Sequence, residues 1–297
     1  MADRIEGLWA AMATPLLADG TVDHPLLLRY ADWLLGNGCH GLVPFGTTGE
    51  GTSFSSNERL RAVEAMLDAG IAPGQIALGA GYPSVPDAVA LIRAALGLGL
   101  QHVLVLPPYF FGDAPEEGIE DAFAAILDGV GDARLRMTLY NIPQVSGVAV
   151  PPRAVANLRS RYGVQVAGVK DSSGDFAQFR AYRAAAPEVA ITVGSEADIG
   201  RAVAQGGTGT ICGMVNVAPR LVQAMFDNPA VAEAPMRRAV ALIEGHFIAT
   251  LKSIIAAQTG EPGWSRVRPP LRAADPAVGQ RIAARLAEIE AAEPVAG

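Results

Sequence analysis

Short apolar runs recur along the chain, and each is bounded by glycine, proline or asparagine. Eight such runs are present, and they begin at Gly7, Gly41, Gln75, His102, Arg136, Val166, Ala190 and Gly209. They are almost continuously hydrophobic, as parallel strands covered on both faces are, rather than alternating between apolar and polar residues. The pattern therefore predicts eight buried parallel β-strands.

Stretches in which apolar residues recur with helical spacing lie between these runs, at 26–35, 58–69, 88–98, 116–130 and 152–161. Ser55 and Glu58 have the spacing of a capping box at the start of the second stretch. Strand-then-helix units that repeat without a linker predict a closed (β/α)8 barrel in the α/β class. An open doubly wound sheet is the alternative, but residues 14–24 hold one glycine where its dinucleotide-binding loop needs GxGxxG.

The end of the repeat divides the chain into two parts. Residues 1–228 are predicted to form the barrel, and Asn228 and Pro229 mark its end. Residues 229–297 contain helical patterns at 232–253 and 278–292. They are predicted to form a C-terminal helical segment packed on the barrel.

Composition narrows the classes of partner. Half of the residues (50%) are hydrophobic, 18% are charged, and the net charge is −7 without any Lys/Arg-rich run. This balance argues against a nucleic-acid or anionic-membrane surface and favours small molecules and copies of the same chain as partners. Acidic residues and a glycine near the N-terminus are unlike a signal peptide, so a soluble, cytoplasmic protein is expected.

Cysteine and histidine provide no support for a disulfide framework or a metal site. Cys39 and Cys212 lie far apart, and neither belongs to a paired cysteine motif. The four histidines show no metal-ligand spacing. No metal or organic cofactor is expected.

Lysine is rare in this chain: of the 23 basic residues only Lys170 and Lys252 are lysines. Imine formation requires a primary amine that can lose a proton, and arginine does not provide one. Lys170 ends an apolar strand, where barrel enzymes place their chemistry and where desolvation favours the uncharged, nucleophilic amine. Asp171 could instead pair with it, although neighbouring strand residues point to opposite faces. Lys252 is interpreted as a solvated charge on an alanine-rich helix.

Two further sites follow predicted strands. Tyr140 ends the fifth strand, where its phenol could act as an acid or base or be an ordinary core residue. Thr47 and Thr48 lie between glycines after the second strand, and hydroxyls with free N–H groups there suit a carboxylate, unless the loop is a plain glycine turn. The glycines after the seventh and eighth strands could alternatively hold a phosphate.

Five motifs in this order carry a family resemblance: GTTGE at 46–50, YNIP at 140–143, GVKD at 168–171, GSE at 194–196 and GGTGTI at 206–211. They resemble the dihydrodipicolinate synthase and N-acetylneuraminate lyase family of pyruvate-dependent class I aldolases. The resemblance implies a TIM barrel in which Lys170 forms the Schiff base and Tyr140 relays protons. It further implies that Thr47 and Thr48 bind the pyruvate carboxylate, that Gly194 and Ile211 line the same pocket, and that the protein is a homotetramer assembled as a dimer of dimers.

The chain departs from the pattern of the synthases at two positions. Val145 stands where those enzymes have an arginine that grips the carboxylate of the aldehyde substrate, and valine cannot replace a bidentate guanidinium. Phe110 stands where a second tyrosine is lent across the dimer interface, so the relay is incomplete unless Tyr109 substitutes. A less acidic or more apolar second substrate is therefore expected.

The sequence thus predicts a Schiff-base-forming lyase or aldolase that acts on pyruvate or a larger 2-oxo acid, with an aldehyde or sugar acid as second substrate. Three alternatives remain open. They are 4-hydroxy-tetrahydrodipicolinate synthase itself, which Val145 disfavours, a 2-keto-3-deoxy sugar acid dehydratase, and a non-catalytic 2-oxo acid sensor.

Overall fold

Eight parallel strands form the centre of the protein, which is described by a computed structural model over residues 4–292. The strands are β1 (Gly7–Ala11), β2 (Gly41–Val43), β3 (Ala77–Gly79), β4 (His102–Val105), β5 (Arg136–Asn141), β6 (Val166–Asp171), β7 (Ala190–Val193) and β8 (Gly209–Cys212). They pair in the order β2-β1-β8-β7-β6-β5-β4-β3. A parallel bridge between Leu42 and Ile76 joins the two edges of this sheet and closes the barrel. The predicted fold class is confirmed.

Helices alternate with the strands and cover the barrel. They are α1 (His24–Gly36), α2 (Ser56–Asp68), α3 (Val85–Gly97), α4 (Glu116–Val130), α5 (Pro143–Ser146), α6 (Pro152–Tyr162), α7 (Phe176–Ala185), α8 (Ile199–Ala204) and α9 (Pro219–Asp227). Three more follow: α10 (Pro229–Ala241), α11 (Phe247–Thr259) and α12 (Pro276–Ala292). The capping box predicted at Ser55 and Glu58 is present at the start of α2.

Two apolar cores result from the alternation of side chains along each strand. Leu139 and Val169 belong to the large core between barrel and helices. Tyr140 lies inside the barrel with Trp9, Ile211 and other apolar residues. Because successive strand residues point to opposite faces, Lys170 is directed to the inside as well. The strand period thus places the phenol and the amine on the same, inner face.

The C-terminal helical pattern at 232–253 is two helices rather than one. Gly245, between α10 and α11, has a φ of +64°. A left-handed residue cannot continue a right-handed helix, so the chain turns there. Only Asn228 separates α9 from α10. The division of the chain at residue 228 stays a prediction.

No helix within residues 4–292 is both long and apolar enough to cross a membrane. Cys39 and Cys212 are both free and buried. The cytoplasmic location stays a prediction.

Candidate active site

Lys170, Tyr140 and Thr47 form one cluster at the C-terminal ends of the strands. Tyr140 and Lys170 are neighbours in the register between β5 and β6. Lys170 Nζ lies 4.2 Å from the ring centroid of Tyr140, and the Tyr140 hydroxyl lies 3.2 Å from Thr47 Oγ1. Lys170 is 4% exposed and Tyr140 3%. An amine, a phenol and a hydroxyl are therefore in contact within a nearly dry site.

The carboxylate of Asp171 forms hydrogen bonds at the end of β5 and in the loop after β6 rather than with Lys170. It accepts hydrogen bonds from Asn141 Nδ2 at 2.9 Å and from the Ser173 backbone N–H at 3.1 Å. Burial raises the pKa of Asp171, whereas the bond from Asn141 lowers it. Asn141 Oδ1 in turn accepts from the Val150 N–H at 3.0 Å. Asp171 therefore ties together the loops after β5 and β6 and does not serve as a counter-ion for Lys170.

Gly194 and Ile211 surround the lysine and tyrosine side chains. A β-carbon on Gly194 would lie 1.9 Å from Ser172 Oγ and 3.4 Å from Lys170 Cε, so only glycine fits without displacing its neighbours. Ile211 is fully buried in the inner core that contains Tyr140. Gly194 thus packs against Lys170 and Ile211 packs with Tyr140, whereas their part in a substrate pocket stays a prediction.

Glu196 is a buried acid whose role the sequence did not reveal, although it is two residues from Gly194. Its Oε1 accepts the N–H groups of Gly213 (3.1 Å) and Met214 (2.9 Å) in the turn after β8. Burial raises the pKa of Glu196, although those bonds and the nearby Lys170 lower it. Glu196 therefore fixes the turn after β8.

The loop after β2, residues 46–53, holds both threonines. Thr48 is buried, and its Oγ1 lies 3.4 Å from where a β-carbon on Gly213 would be. Phe45 and Glu50 have φ values of +57° and +56°, in the left-handed region. Each such non-glycine residue costs of order 1–3 kcal/mol and persists only where its surroundings hold it, commonly at functional sites. This loop therefore depends on contacts from other elements.

A cavity of about 310 Å³ opens beside the cluster. Its walls include Thr47, Tyr140, Arg59, Tyr109, Val145, Leu104, Ile142, Ile248 and Leu271. The volume is at the small end of the usual range for ligand sites, roughly 300–1,000 Å³. Lys170 is not among the residues that line this cavity, but its amine contacts the ring of Tyr140, which does line it.

Arg59 is a wall residue that the sequence did not single out. It is almost fully buried, and it donates to the carbonyls of Phe54 (3.2 Å) and Gly79 (2.9 Å) while stacking on Tyr82. Burial lowers the pKa of Arg59. The sequence did not distinguish Arg59 from a surface arginine, because the spacing of apolar residues in α2 does not show that this side chain is buried.

The two predicted specificity residues lie in different environments. Val145, on the short helix α5, is 64% exposed at the cavity rim. Phe110 is 86% exposed with a φ of +95°, and its ring lies edge-on to that of Phe111. Within one chain it is Tyr109, not Phe110, that reaches the cavity wall. Whether Phe110 acts across a dimer interface stays a prediction.

The interpretation of Lys252 as a solvated charge is wrong. Its side chain is fully buried, and its Nζ lies 2.6 Å from Glu50 Oε1, whose side chain is also fully buried. Burial lowers the pKa of Lys252, and the charge of Glu50 opposes this effect. A signal for burial was present in the sequence, because Lys252 is the only charged residue of α11, and the structure buries all of residues 248–255.

A larger cavity of about 500 Å³ lies elsewhere and is lined by residues that include Tyr30, Trp33 and Trp264. None of the predicted site residues within the described range lines it. Residues 4–292 also contain no group of three or more His, Cys, Asp or Glu side chains arranged to hold a metal ion.

An inward-facing lysine and tyrosine at the C-terminal mouth of a (β/α)8 barrel have the placement that an enzyme with an amine nucleophile requires. Residues 4–288 match the model of the dihydrodipicolinate synthetase family. The chain belongs to this family. It is therefore a class I lyase, acting through an imine between a lysine and a 2-oxo acid.

Individual relatives agree with this placement. A Chloroflexus aurantiacus protein described as an uncharacterized DapA-like lyase is 38% identical over 222 residues, which cover 74% of both chains. The 4-hydroxy-tetrahydrodipicolinate synthase of Rhizobium meliloti is 33% identical and covers 73% of this chain and 72% of its own. The crystal structure of dihydrodipicolinate synthase from Agrobacterium tumefaciens is similar with a TM-score of 0.88 and 34% identity, covering 96% of this chain and 99% of that one.

Proposed function

We propose that Lys170 forms the imine with pyruvate or a larger 2-oxo acid and that Tyr140 moves the protons. The observation that carries this assignment is the buried contact between the Lys170 amine and the Tyr140 ring, with Thr47 in hydrogen-bond reach of the phenol. The only other lysine, Lys252, is held in a buried ion pair and has no such access.

The uncharged Lys170 amine attacks the carbonyl carbon of the 2-oxo acid, and an N–C bond forms as the carbonyl oxygen takes up a proton. Loss of that oxygen as water leaves an iminium. This cation accepts the electron pair of a neighbouring bond, so a C–C bond can break or form beside it. Tyr140 donates and recovers the protons of these steps in this proposal, and a positioned acid or base of this kind typically raises the rate about 10²–10⁴-fold.

The substrate carboxylate is assigned to Thr47 and Thr48. Both hydroxyls lie in the loop after β2, and glycines at 49 and 51, where a β-carbon would collide with the backbone of Phe45, let this loop fold tightly. The Thr47 hydroxyl also lies 3.2 Å from the Tyr140 hydroxyl, so a carboxylate held by the threonines lies beside the proposed proton-transfer group. Gly194 and Ile211 complete the pocket around the three-carbon unit.

The second substrate is proposed to be an aldehyde or sugar acid that is less acidic or more apolar than the one used by the synthases. Val145 offers no charge at the cavity rim, and Leu104, Ile142 and Ile248 make the wall largely apolar. The bond broken, C–C or C–O, is left to experiment.

A homo-oligomer, built as a dimer of dimers, is also proposed. Phe110 and Phe111 lie side by side with 86% and 69% of their surface exposed. An apolar pair of this kind is costly to leave in water and suits a surface that another copy covers.

The test is borohydride trapping of purified protein with pyruvate, followed by intact mass and peptide mapping. The expected result is one reduced pyruvate adduct, on the peptide that contains Lys170, in the wild type and none in Lys170→Arg. The matched control is the peptide that contains Lys252, which is expected to stay unmodified.

An adduct on Lys252, or an adduct that persists in Lys170→Arg, would overturn the assignment. If pyruvate gives none, larger 2-oxo acids are the next probes, and failure with all of them refutes the imine. An adduct without turnover over a panel of aldehydes and sugar acids would identify a 2-oxo acid sensor instead.

A further inference from the structure

We infer that Lys252 and Glu50 are positioning residues, which set the shape of the loop that holds Thr47 and Thr48. The ion pair joins α11, in the C-terminal helical segment, to the loop after β2, and its partners are 202 residues apart in sequence. This inference rests on the proposal that the two threonines bind the substrate carboxylate. It assigns a positioning role at the site to a second lysine, Lys252, which lies outside the barrel strands.

Glu50 is tied directly to the threonine turn through its own backbone. Its N–H donates to the Thr47 carbonyl at 3.0 Å, and its carbonyl accepts from the Ser53 N–H at 2.8 Å. Its φ of +56° is a conformation that a glutamate adopts only when it is held. Movement of the Glu50 side chain therefore moves the turn that carries Thr47.

Both oxygens of the Glu50 carboxylate accept hydrogen bonds from the C-terminal segment. Oε1 accepts from Lys252 at 2.6 Å, and Oε2 accepts from the backbone N–H of Arg268 at 2.8 Å. The Arg268 guanidinium additionally donates to the Ser53 carbonyl at 2.8 Å. Two donors, one on α11 and one in the stretch between α11 and α12, fix the orientation of the carboxylate, and a third contact holds the end of the same loop.

A buried ion pair contributes little to the net free energy of unfolding. Removing two charges from water costs about as much as their attraction returns, and well-packed apolar residues often do as well or better. The pair instead fixes the relative position of its two side chains, because each buried charge is stabilised only when the other lies in contact with it. The strained loop beside the reactive cluster is where a fixed geometry matters, since small misplacements of binding groups slow catalysis.

The use of lysine at this position also fits the inference. The chain has 21 arginines, yet Lys252 donates to a single carboxylate oxygen in a fully enclosed site. A guanidinium would bring five N–H groups that need partners, whereas an ammonium acts as a compact charge.

The experiment compares wild type with Lys252→Met, Glu50→Gln and the double variant Glu50→Gln/Lys252→Met. The readouts are the pyruvate concentration for half-maximal borohydride trapping, the trapping rate at saturating pyruvate, and the thermal midpoint. Arg237→Met is the matched control, because it removes a basic residue of the same C-terminal segment from an exposed ion pair with Glu233.

Each single variant is expected to lower the thermal midpoint, because it leaves one buried charge unpaired. The double variant has no unpaired charge and is expected to regain most of that midpoint. Its half-saturating pyruvate concentration is nevertheless expected to stay raised by about tenfold or more. Its trapping rate at saturating pyruvate is expected to fall by a smaller factor than its half-saturating concentration rises, since Lys170 and Tyr140 are retained and only Thr47, which bonds to Tyr140, is displaced.

A double variant with both a recovered midpoint and a wild-type half-saturation would overturn the inference, because the pair would then be structural only. A raised half-saturation in Arg237→Met would overturn it as well. If the wild type itself gives no adduct, the proposed function fails and the inference fails with it. An adduct in wild type with unchanged variants refutes the inference alone.

Discussion

Gly194→Ala is the substitution whose consequence can be worked out most directly from the structure. The new β-carbon would lie 1.9 Å from Ser172 Oγ, 2.9 Å from Ser172 Cβ and 3.4 Å from Lys170 Cε. The hydroxyl must retreat by roughly 1.5 Å to reach an ordinary contact, and the Cβ by roughly 0.5 Å, taking about 3.4 Å as the contact distance. A rotation can move the hydroxyl, but the Cβ moves only with the backbone.

Extra methylenes forced into a packed interior cost typically about 1–3 kcal/mol. Ser172 directly follows β6, so a backbone shift there is passed to Lys170 two residues earlier. The thermal midpoint is therefore expected to fall, and the rate of borohydride trapping at saturating pyruvate to fall about 10- to 100-fold. Both quantities are measurable on the purified variant.

The double variant Gly194→Ala/Ser172→Gly removes both colliding atoms and is the control for the steric cause. It should recover most of the trapping rate and midpoint relative to Ser172→Gly alone. If Gly194→Ala traps pyruvate at the wild-type rate with an unchanged midpoint, the packing argument is refuted. An equal defect with and without the Ser172 side chain would place the cause elsewhere.

Three other outcomes are expected. Tyr140→Phe should lower kcat about 10²- to 10⁴-fold while Lys170 is still trapped by borohydride, and an unchanged kcat would remove the phenol from proton transfer. Val145→Arg should raise kcat/KM about tenfold for an aldehyde that carries a carboxylate relative to a neutral one, and Val145→Met should not. Arg268 holds the pKa of Glu58 at about 2, below its usual 4.5. Because the folded-state pKa is depressed, the stability from this pair is complete above about pH 4.5 and is lost as pH falls toward 2. The difference in urea midpoint between wild type and Glu58→Gln should therefore shrink over that interval, and a constant difference would contradict the assignment.

The sequence alone determined the strands and most of the helices. Continuous apolar runs report burial on both faces of a strand, and the spacing of apolar residues reports one covered face of a helix, so both are local signals. Lys170 could be singled out for the same reason, because a lysine at the end of a buried strand is anomalous without any knowledge of its neighbours.

Only the tertiary structure decided which distant side chains meet. Tyr140 contacts Thr47 across 93 residues, and Lys252 reaches Glu50 across 202. The first contact exists because the barrel closes and the second because α11 packs against the loop after β2, and neither event leaves a mark in the local spacing of residues. The sequence therefore located the lysine that we propose forms the imine, whereas the ion pair between Lys252 and Glu50 emerged only when the closed fold brought the two residues together.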